Sequence, residues 1–359
     1  MISATSTRPS SPSVGFGVMP ADRKRPSIKD VAARAGVSWK TVTNVMHGRA
    51  NVRPETRDRV LAAVDELGYR PNPVARQLQE GRSRVITLAI PDITSSYFSR
   101  LAARIIELAR GQGWMVVIRE TRGDTAIETA VLEDGDLHYA DGVILAAVSL
   151  SNAHLQTIAR TRPLVVIGQR DDPPGPNHVI IDNIGSAVVA TQHLLDLGRR
   201  RLAFVGGTQH GPGHLRQVGF LRKLAAAGLE PAGLIGVRTF DRKSGADAVT
   251  TALDQGLRAD ALVCAVDSVA LGAMFALRQH GVQVPDDVAV LGWDNIEDGA
   301  YSNPTLTTIA PDVDRVAEAA VTGVLQRIRE PKSDHLDTVH VRYELIHRES
   351  TGGPLAASD

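Results

Sequence analysis

The sequence predicts an α/β protein in which a small all-α head and a short hinge helix precede a doubly wound, parallel α/β body. Three observations carry that prediction. Between residues 27 and 67, apolar side chains recur three and four positions apart, the helical period. From residue 84 onward, short apolar runs alternate with amphipathic stretches, as strands alternate with helices around a parallel sheet. Charge is also divided: the 359-residue chain is neutral overall, yet the segment from Asp22 to Arg84 holds 14 Lys and Arg against 7 Asp and Glu. Outside that segment and Arg8, 25 basic residues stand against 33 acidic ones, so the head is basic and the body acidic.

Residues 1–26 are rich in Ser, Pro, Thr and Gly and lack a continuous apolar stretch, so disorder is expected and a secretory leader is not. Arg23, Lys24 and Arg25 read as a solvated charge run, and Met19 is a second candidate start. Residues 27–71 are expected to form a helix-turn-helix domain. Ile28, Val31, Ala32 and Ala35 give the first helix one apolar face, Gly36 suits a left-handed cap, Val37 fills the corner and Ser38 caps the next helix. The second helix turns Val42, Val45 and Met46 inward and leaves Trp39, Lys40, Thr43 and Asn44 outward near its N-terminal end. A third helix starts at Pro54, with Val60, Leu61, Val64 and Leu67 as its buried stripe. Polar groups gathered at one helix N-terminus of a three-helix core suit the major groove of duplex DNA. Trp39, Lys40, Thr43 and Asn44 would meet base edges there, while Ser38, Thr41 and Arg53 would meet phosphates.

Residues 72–83 are expected to be a hinge helix and linker. Asn72 can cap it, Pro73 fits its first position, and Val74, Ala75 and Leu78 share one face. A helix of about two turns is marginal alone, so it should order only when something packs against it. The body then spans residues 84–350, ahead of a tail at 351–359 that shows no leucine heptad. VITLAIPD, WMVVIRE, DGVILAAV, PLVVIGQ, RLAFVGG, ALVCAVD and DVAVLGW read as buried parallel strands, with amphipathic helices such as YFSRLAARIIELARGQG between them. Ligands of doubly wound sheets sit beyond the carboxyl ends of strands, which singles out Asp92, Gln169, the 206–216 loop, Asp267 and Asp294.

Composition excludes several classes. Cys264 is the one cysteine, so no intrachain disulfide forms, and its apolar setting reads as an inert core thiol in a chain suited to a reducing cytoplasm. No apolar run approaches the roughly 20 residues of a membrane span. There is no G-x-S-x-G elbow, Walker loop, C-x-x-C or H-E-x-x-H motif, so an enzyme is not expected. His210 and His214 have the spacing of a helical metal pair, but the intervening Gly-Pro-Gly is expected to prevent a helix there. No metal and no cofactor are called for.

The runs IKDVAARAGVS, ETRDRVLAAVDELGYRPNPVARQL and VITLAIPDITSSYF, followed by VIIDN, GWDN and NPTLTTI, resemble the LacI (lactose-repressor) family of bacterial regulators over about residues 27–350. The resemblance implies a body like the periplasmic sugar-binding proteins of type I. One lobe would take residues 84–181 and 312–339, the other 182–311 and 340–350. It implies that the hinge helix pairs with its twin from a second subunit in the minor groove, with Asn72 and Ala75 at the contact and Leu78 as a wedge at the central base step; packing of Leu78 on the body is the plainer alternative. Asn44 stands where many members carry arginine, His47 where asparagine is common, and Arg53 where a small polar residue is usual, so the operator should depart from the usual half-site at the Asn44 contact.

For the cleft, the resemblance implies that Arg216 grips an effector opposite Asp294. Tyr97, Phe98 and Phe240 would form walls, with His210 and Asp267 as further contacts, Asp267 reading equally as a helix N-cap and Asp182 as a cleft-edge residue; Gln169 joins the effector contacts by its place at a strand end. A carboxylate facing a guanidinium suits vicinal hydroxyls, so the effector is expected to be a carbohydrate or polyol. The reading is a cytoplasmic, homodimeric DNA-binding regulator of the repressor kind, controlled by a small molecule whose sign of action is not legible. The alternatives are a regulator whose body binds a protein partner or no ligand, and a DNA-tethered α/β enzyme.

Overall fold

The computed structural model describes residues 26–46, 52–69, 82–133, 140–168, 178–331 and 338–353. The chain divides into two compact units, one up to Gly81 and one from Arg82 onward. The expected N-terminal disorder, His47, the hinge residues Asn72, Ala75 and Leu78, Gln169 and the end of the tail lie outside the described residues.

The first unit holds α1 (Ile28–Ala35), α2 (Trp39–Met46) and α3 (Pro54–Leu67). Ser27 and Asp30 form a reciprocal capping box at the start of α1, and Gly36 ends it at φ 63°. Ser38 Oγ accepts from the Thr41 N–H at 3.1 Å, the cap expected for α2. Val31, Val42 and Val60 are fully buried and form the center of the core with Ala32, Ala35, Val45 and Ala63. The third stripe differs from the sequence expectation at one position. Leu61 is 44% exposed, because a strip through Val60, Ala63, Val64 and Leu67 already covers the inward arc of α3 and places position 61 beside it.

The second unit contains two six-stranded sheets. The first uses β1 (Val85–Ile90), β2 (Met115–Glu120), β3 (Gly142–Ala146), β4 (Leu164–Ile167), β5 (His178–Ile181) and a late strand β11 (Val339–Val341), in the order β11-β5-β4-β3-β1-β2. The second uses β6 (Leu202–Gly207), β7 (Gly233–Gly236), β8 (Ala261–Cys264), β9 (Ala289–Trp293), β10 (Thr307–Pro311) and β12 (Tyr343–Ile346), in the order β12-β10-β9-β8-β6-β7. All pairings are parallel except β10 with β12. Each sheet therefore repeats one doubly wound order, with its switch point between β1 and β3 or between β6 and β8. Intervening helices cover the faces: α4 (Ser96–Gly111), α5 (Thr125–Glu133), α6 (Asn152–Ala159), α7 (Asn183–Asp196), α8 (Gly211–Ala226), α9 (Arg242–Asp254), α10 (Asp267–Gln279), the short α11 (Glu297–Ala300) and α12 (Val313–Arg329).

Strand burial explains both what was foreseen and what was not. β1 and β3 are buried along their whole length, whereas β2, read as a buried strand, is an edge strand with Met115 59% and Val117 42% exposed. β7 carries glycine at both ends, and β11 and β12 hold a histidine and a glutamate inside three and four residues, so their apolar signal is diluted. The chain passes from one sheet's layer to the other three times. The first two passages run through Asp182 and Asp312, each in nearly the same conformation (φ −68°, ψ 90° and φ −72°, ψ 87°) and each capping the next helix with its carboxylate. The third runs through Arg342, whose carbonyl accepts from the Asp312 N–H at 3.1 Å, so the second and third crossings lie side by side.

Candidate nucleic-acid interface and ligand cleft

On the head, the N-terminal end of α2 presents Trp39, 52% exposed, beside an exposed Lys40, with Thr43 and Asn44 half-buried one turn on. Helical spacing alone puts 39, 40, 43 and 44 on one face, because Val42 and Val45 claim the other. The hydroxyls are partly engaged: Thr43 Oγ1 donates to the Trp39 carbonyl at 3.0 Å, and Ser38 and Thr41 share a hydrogen bond at 2.9 Å. Arg53 is the exposed N-cap residue of α3 and makes no side-chain cap bond. An exposed Arg34–Glu66 pair at 2.6 Å links α1 to α3, which as a surface pair adds little stability.

In the body, the structure brings Tyr97, Arg216 and Asp294 together from three elements. Arg216, on α8, is 8% exposed. Its Nε donates to Asn183 Oδ1 at 2.9 Å, Nη1 donates to the Ala265 carbonyl at the end of β8, and its guanidinium lies 3.8 Å from the centroid of the Trp293 ring. Burial pulls its pKa down to about 10 against the opposing pull of Asp294, so it remains a cation at neutral pH. Asp294 follows β9 at φ 105°, and burial pushes its carboxyl up to about 7 against the pull of Arg216. It can therefore serve as acceptor or donor near neutrality. Burial, reinforced by the charge of Asp294, pushes the Tyr97 phenol above its ordinary range and keeps it a neutral donor. Phenol, guanidinium and carboxyl form a set matched to hydroxyl groups.

A cavity of about 370 Å³ opens between the two sheets, with Tyr97 and Arg100 on one wall and Asp294, Glu297, Asp298 and Tyr301 on the other. Tyr97 and Asp294 are the predicted residues that line it; Arg216, Phe240, Asp267 and His210 do not. Phe98 meets Tyr97 edge-on with ring centroids 5.2 Å apart and packs on the core. Phe240, 42% exposed, lies against Gly206 and Gly213. Gly206 sits at φ 102°, and a Cβ there would lie 2.7 Å from the Ala265 methyl, so a larger residue would lift this wall.

Two readings need correction, on Asp267 and on Gly-Pro-Gly. Asp267 is fully buried and is the first residue of α10, whose N-cap is Val266. Its oxygens accept from Thr308 Oγ1 at 2.6 Å and the Ile296 N–H at 2.9 Å, so it is neither an N-cap nor directed at the cleft. Asp92, just beyond β1 as expected, accepts from the Thr94 N–H at 2.7 Å and hydroxyl at 2.6 Å through one carboxylate oxygen. Gly-Pro-Gly does not prevent a helix: α8 begins at Gly211, because a proline in the first turn lacks only an N–H that would have no intrahelical partner. His210, exposed and extended, is its N-cap residue.

Sequence reasoning missed Asn183, Trp293 and Glu128. The first two lie inside the quoted VIIDN and GWDN runs, beside the acids that drew attention. Glu128 is fully buried on α5 and accepts from the N–H groups of Val148, Ser149 and Leu150 and from Ser149 Oγ, holding the loop after β3 at the switch point. An acid in an ordinary amphipathic helix carries no sequence sign of that role.

Comparison with known proteins bears on both units. The family described as bacterial regulatory proteins, lacI family, matches residues 27–72, and a periplasmic binding protein-like domain matches residues 191–351. The HTH-type transcriptional repressor PurR of Erwinia tasmaniensis is 30% identical over 335 residues, covering 91% of this chain and 98% of that protein. A LacI-family structure from Sanguibacter keddieii is 38% identical with a TM-score of 0.69, covering 76% of this chain and all of that one, at 100%. The lac repressor dimer bound to operator and the anti-inducer ONPF is 27% identical with a TM-score of 0.82, over 91% of this chain and 99% of its own. Among the described residues, no helix is long and apolar enough to cross a membrane.

Proposed function

The chain belongs to the lacI family of bacterial regulatory proteins, and from that premise we propose that it is a homodimeric repressor of a pseudo-palindromic operator, released or recruited by a carbohydrate-like effector. Its relatives are DNA-binding transcriptional regulators and not enzymes. Trp39, Lys40, Thr43 and Asn44 read the half-site, Ser38, Thr41 and Arg53 hold the backbone, and Leu78 enters the minor groove beside Asn72 and Ala75. Two-fold protein symmetry maps onto the operator, as in the lac repressor dimer bound to its operator. The protein acts in the cytoplasm, where that DNA is.

The observation that carries the effector reading is the meeting of Tyr97, Arg216 and Asp294 beyond the strand ends of a doubly wound sheet. Ligand held there, with Phe98, Gln169, His210 and Phe240 around it, closes the cleft and changes the spacing of the two hinge starts. A marginal hinge helix converts that change into DNA affinity. The ligand contributes its differential affinity for the two states, typically about 1–3 kcal/mol. The test is fluorescence anisotropy on palindromes upstream of the gene, at fixed salt, with a panel of neutral sugars and sugar phosphates. Tight binding altered by one compound, and no longer altered in Asp294→Ala while operator affinity is kept, is the expected result. Tight binding that no compound alters would overturn the ligand-gated reading in favor of a body that docks a protein or binds nothing.

A further inference from the structure

The loop that aims Asp294 is held from behind by groups that touch no part of the cavity. Asp294 and Asn295 are consecutive residues at positive φ, 105° and 50°; asparagine tolerates the second value, but Asp294 lies outside the left-handed well and keeps its conformation only when its surroundings impose it. Four hydrogen bonds impose it here. The Asp294 N–H donates to the Ile309 carbonyl at 2.9 Å, the Asn295 N–H to Thr308 Oγ1 at 3.3 Å, and the Ile296 N–H to Asp267 Oδ2 at 2.9 Å. The fourth comes from far along the chain: Arg348 Nη2 donates to Asn295 Oδ1 at 2.8 Å.

Arg348 is itself 7% exposed and tied on several sides. Its Nη1 donates to the Leu306 carbonyl at 2.8 Å, its N–H to Thr307 Oγ1 at 2.8 Å, and its carbonyl accepts from Thr307 Oγ1 at 2.9 Å. The acid that acts on this buried guanidinium is Asp267: burial and the neighboring Asp294 push that carboxyl up, and Arg348 draws it part of the way back. The cation and the buried acid thus grip the same loop from two directions, Arg348 through the Asn295 side chain and Asp267 through the Ile296 backbone.

We propose that Arg348 is a positioning residue of the ligand cleft, clamping Asn295 so that this turn presents Asp294 toward Arg216. This rests on the reading of Asp294 as the ligand-facing carboxyl. A segment that returns after the last strand therefore decides the geometry of a site it never enters. Asn295 is chosen for two physical reasons: it tolerates the left-handed region, and it supplies the acceptor that Arg348 requires.

The test is hydrogen exchange by mass spectrometry on the full chain, a readout that needs no ligand and so stands apart from the outcome of the sugar panel. Asn295→Gly keeps the backbone conformation but removes the acceptor; Arg348→Met removes the donor; Asn295→Asp keeps an acceptor of the same shape. The expected result is exchange about tenfold faster in peptides covering 293–297 for Asn295→Gly and Arg348→Met, with β6 and β8 unchanged, and restoration in Asn295→Asp. Unchanged exchange at 293–297 in Asn295→Gly would overturn the clamp. So would acceleration spread evenly over the second sheet, which marks a general loss of stability. If Arg348→Met does not fold, Asn295→Gly and Asn295→Asp decide the matter.

Discussion

Asp294 should make the body less stable as pH rises, and replacing it with asparagine should remove that penalty. Burial raises its carboxyl from the ordinary 3.8 to about 7, so between those values the folded chain holds a proton that the unfolded chain has released. Stability changes with pH in proportion to protons bound in the unfolded state minus those bound in the folded state, which is negative here, so stability falls through this window and levels off above it. At about 1.4 kcal/mol per pH unit, the two units between pH 5 and pH 7 amount to at most about 2.7 kcal/mol. Asp294 retains some contact with solvent, which brings the expected figure to about 2 kcal/mol. Urea unfolding of parent and Asp294→Asn, followed by far-ultraviolet circular dichroism at pH 5 and pH 8, measures it. The advantage of Asp294→Asn over the parent should grow by about 2 kcal/mol from the lower pH to the higher. Asp267 is present in both proteins, and the repulsion between it and Asp294 acts in the same direction. A difference independent of pH would show that Asp294 is not a desolvated carboxyl, and would remove the electrostatic picture of the cleft. The sense is that of a functional site: the parent keeps a costly charge where a neutral isostere would be more stable.

Three further outcomes are expected. Leu78→Ala should weaken specific operator binding far more than non-specific binding in a fixed-salt titration, and equal losses would dismiss a wedge at the central base step. Asn44→Arg should move base preference toward guanine at one symmetric pair of positions, by about 1–3 kcal/mol in a binding-selection profile; an unaltered profile would take Asn44 off the base edges. Glu128→Gln should destabilize the body by about 2 kcal/mol in urea unfolding, because an amide offers one acceptor where four donors converge; wild-type stability would mean that the loop after β3 needs no anchor.

Periodicity is a local property, and what it governs was legible. The head followed from it because Val31, Val42 and Val60 need only helical spacing to meet, and Gly36 and Ser38 act on residues within one turn. The central strands were legible because burial on both faces demands an unbroken apolar run, as in β1 and β3. The same rule misjudged β2, since an apolar run does not say which strand ends at a sheet edge, and Leu61, since a stripe read from sequence has uncertain width. The resemblance supplied Arg216 and Asp294 as a pair.

By itself, then, the sequence determined the order of elements, the basic head with its outward α2 face, and the residue types at strand ends from which a cleft is made. Only the tertiary structure decided what those residues do. Asp267 was a candidate contact until Thr308 and Ile296, 41 and 29 positions away, took both its oxygens. Asn183 and Trp293 acquired roles because Arg216 sits on them, and Arg348 because the chain returns to the second sheet after its third crossing. The physical reason is range: spacing fixes which side chains share a face, while the partner of a buried charge is fixed by contacts between residues far apart along the chain.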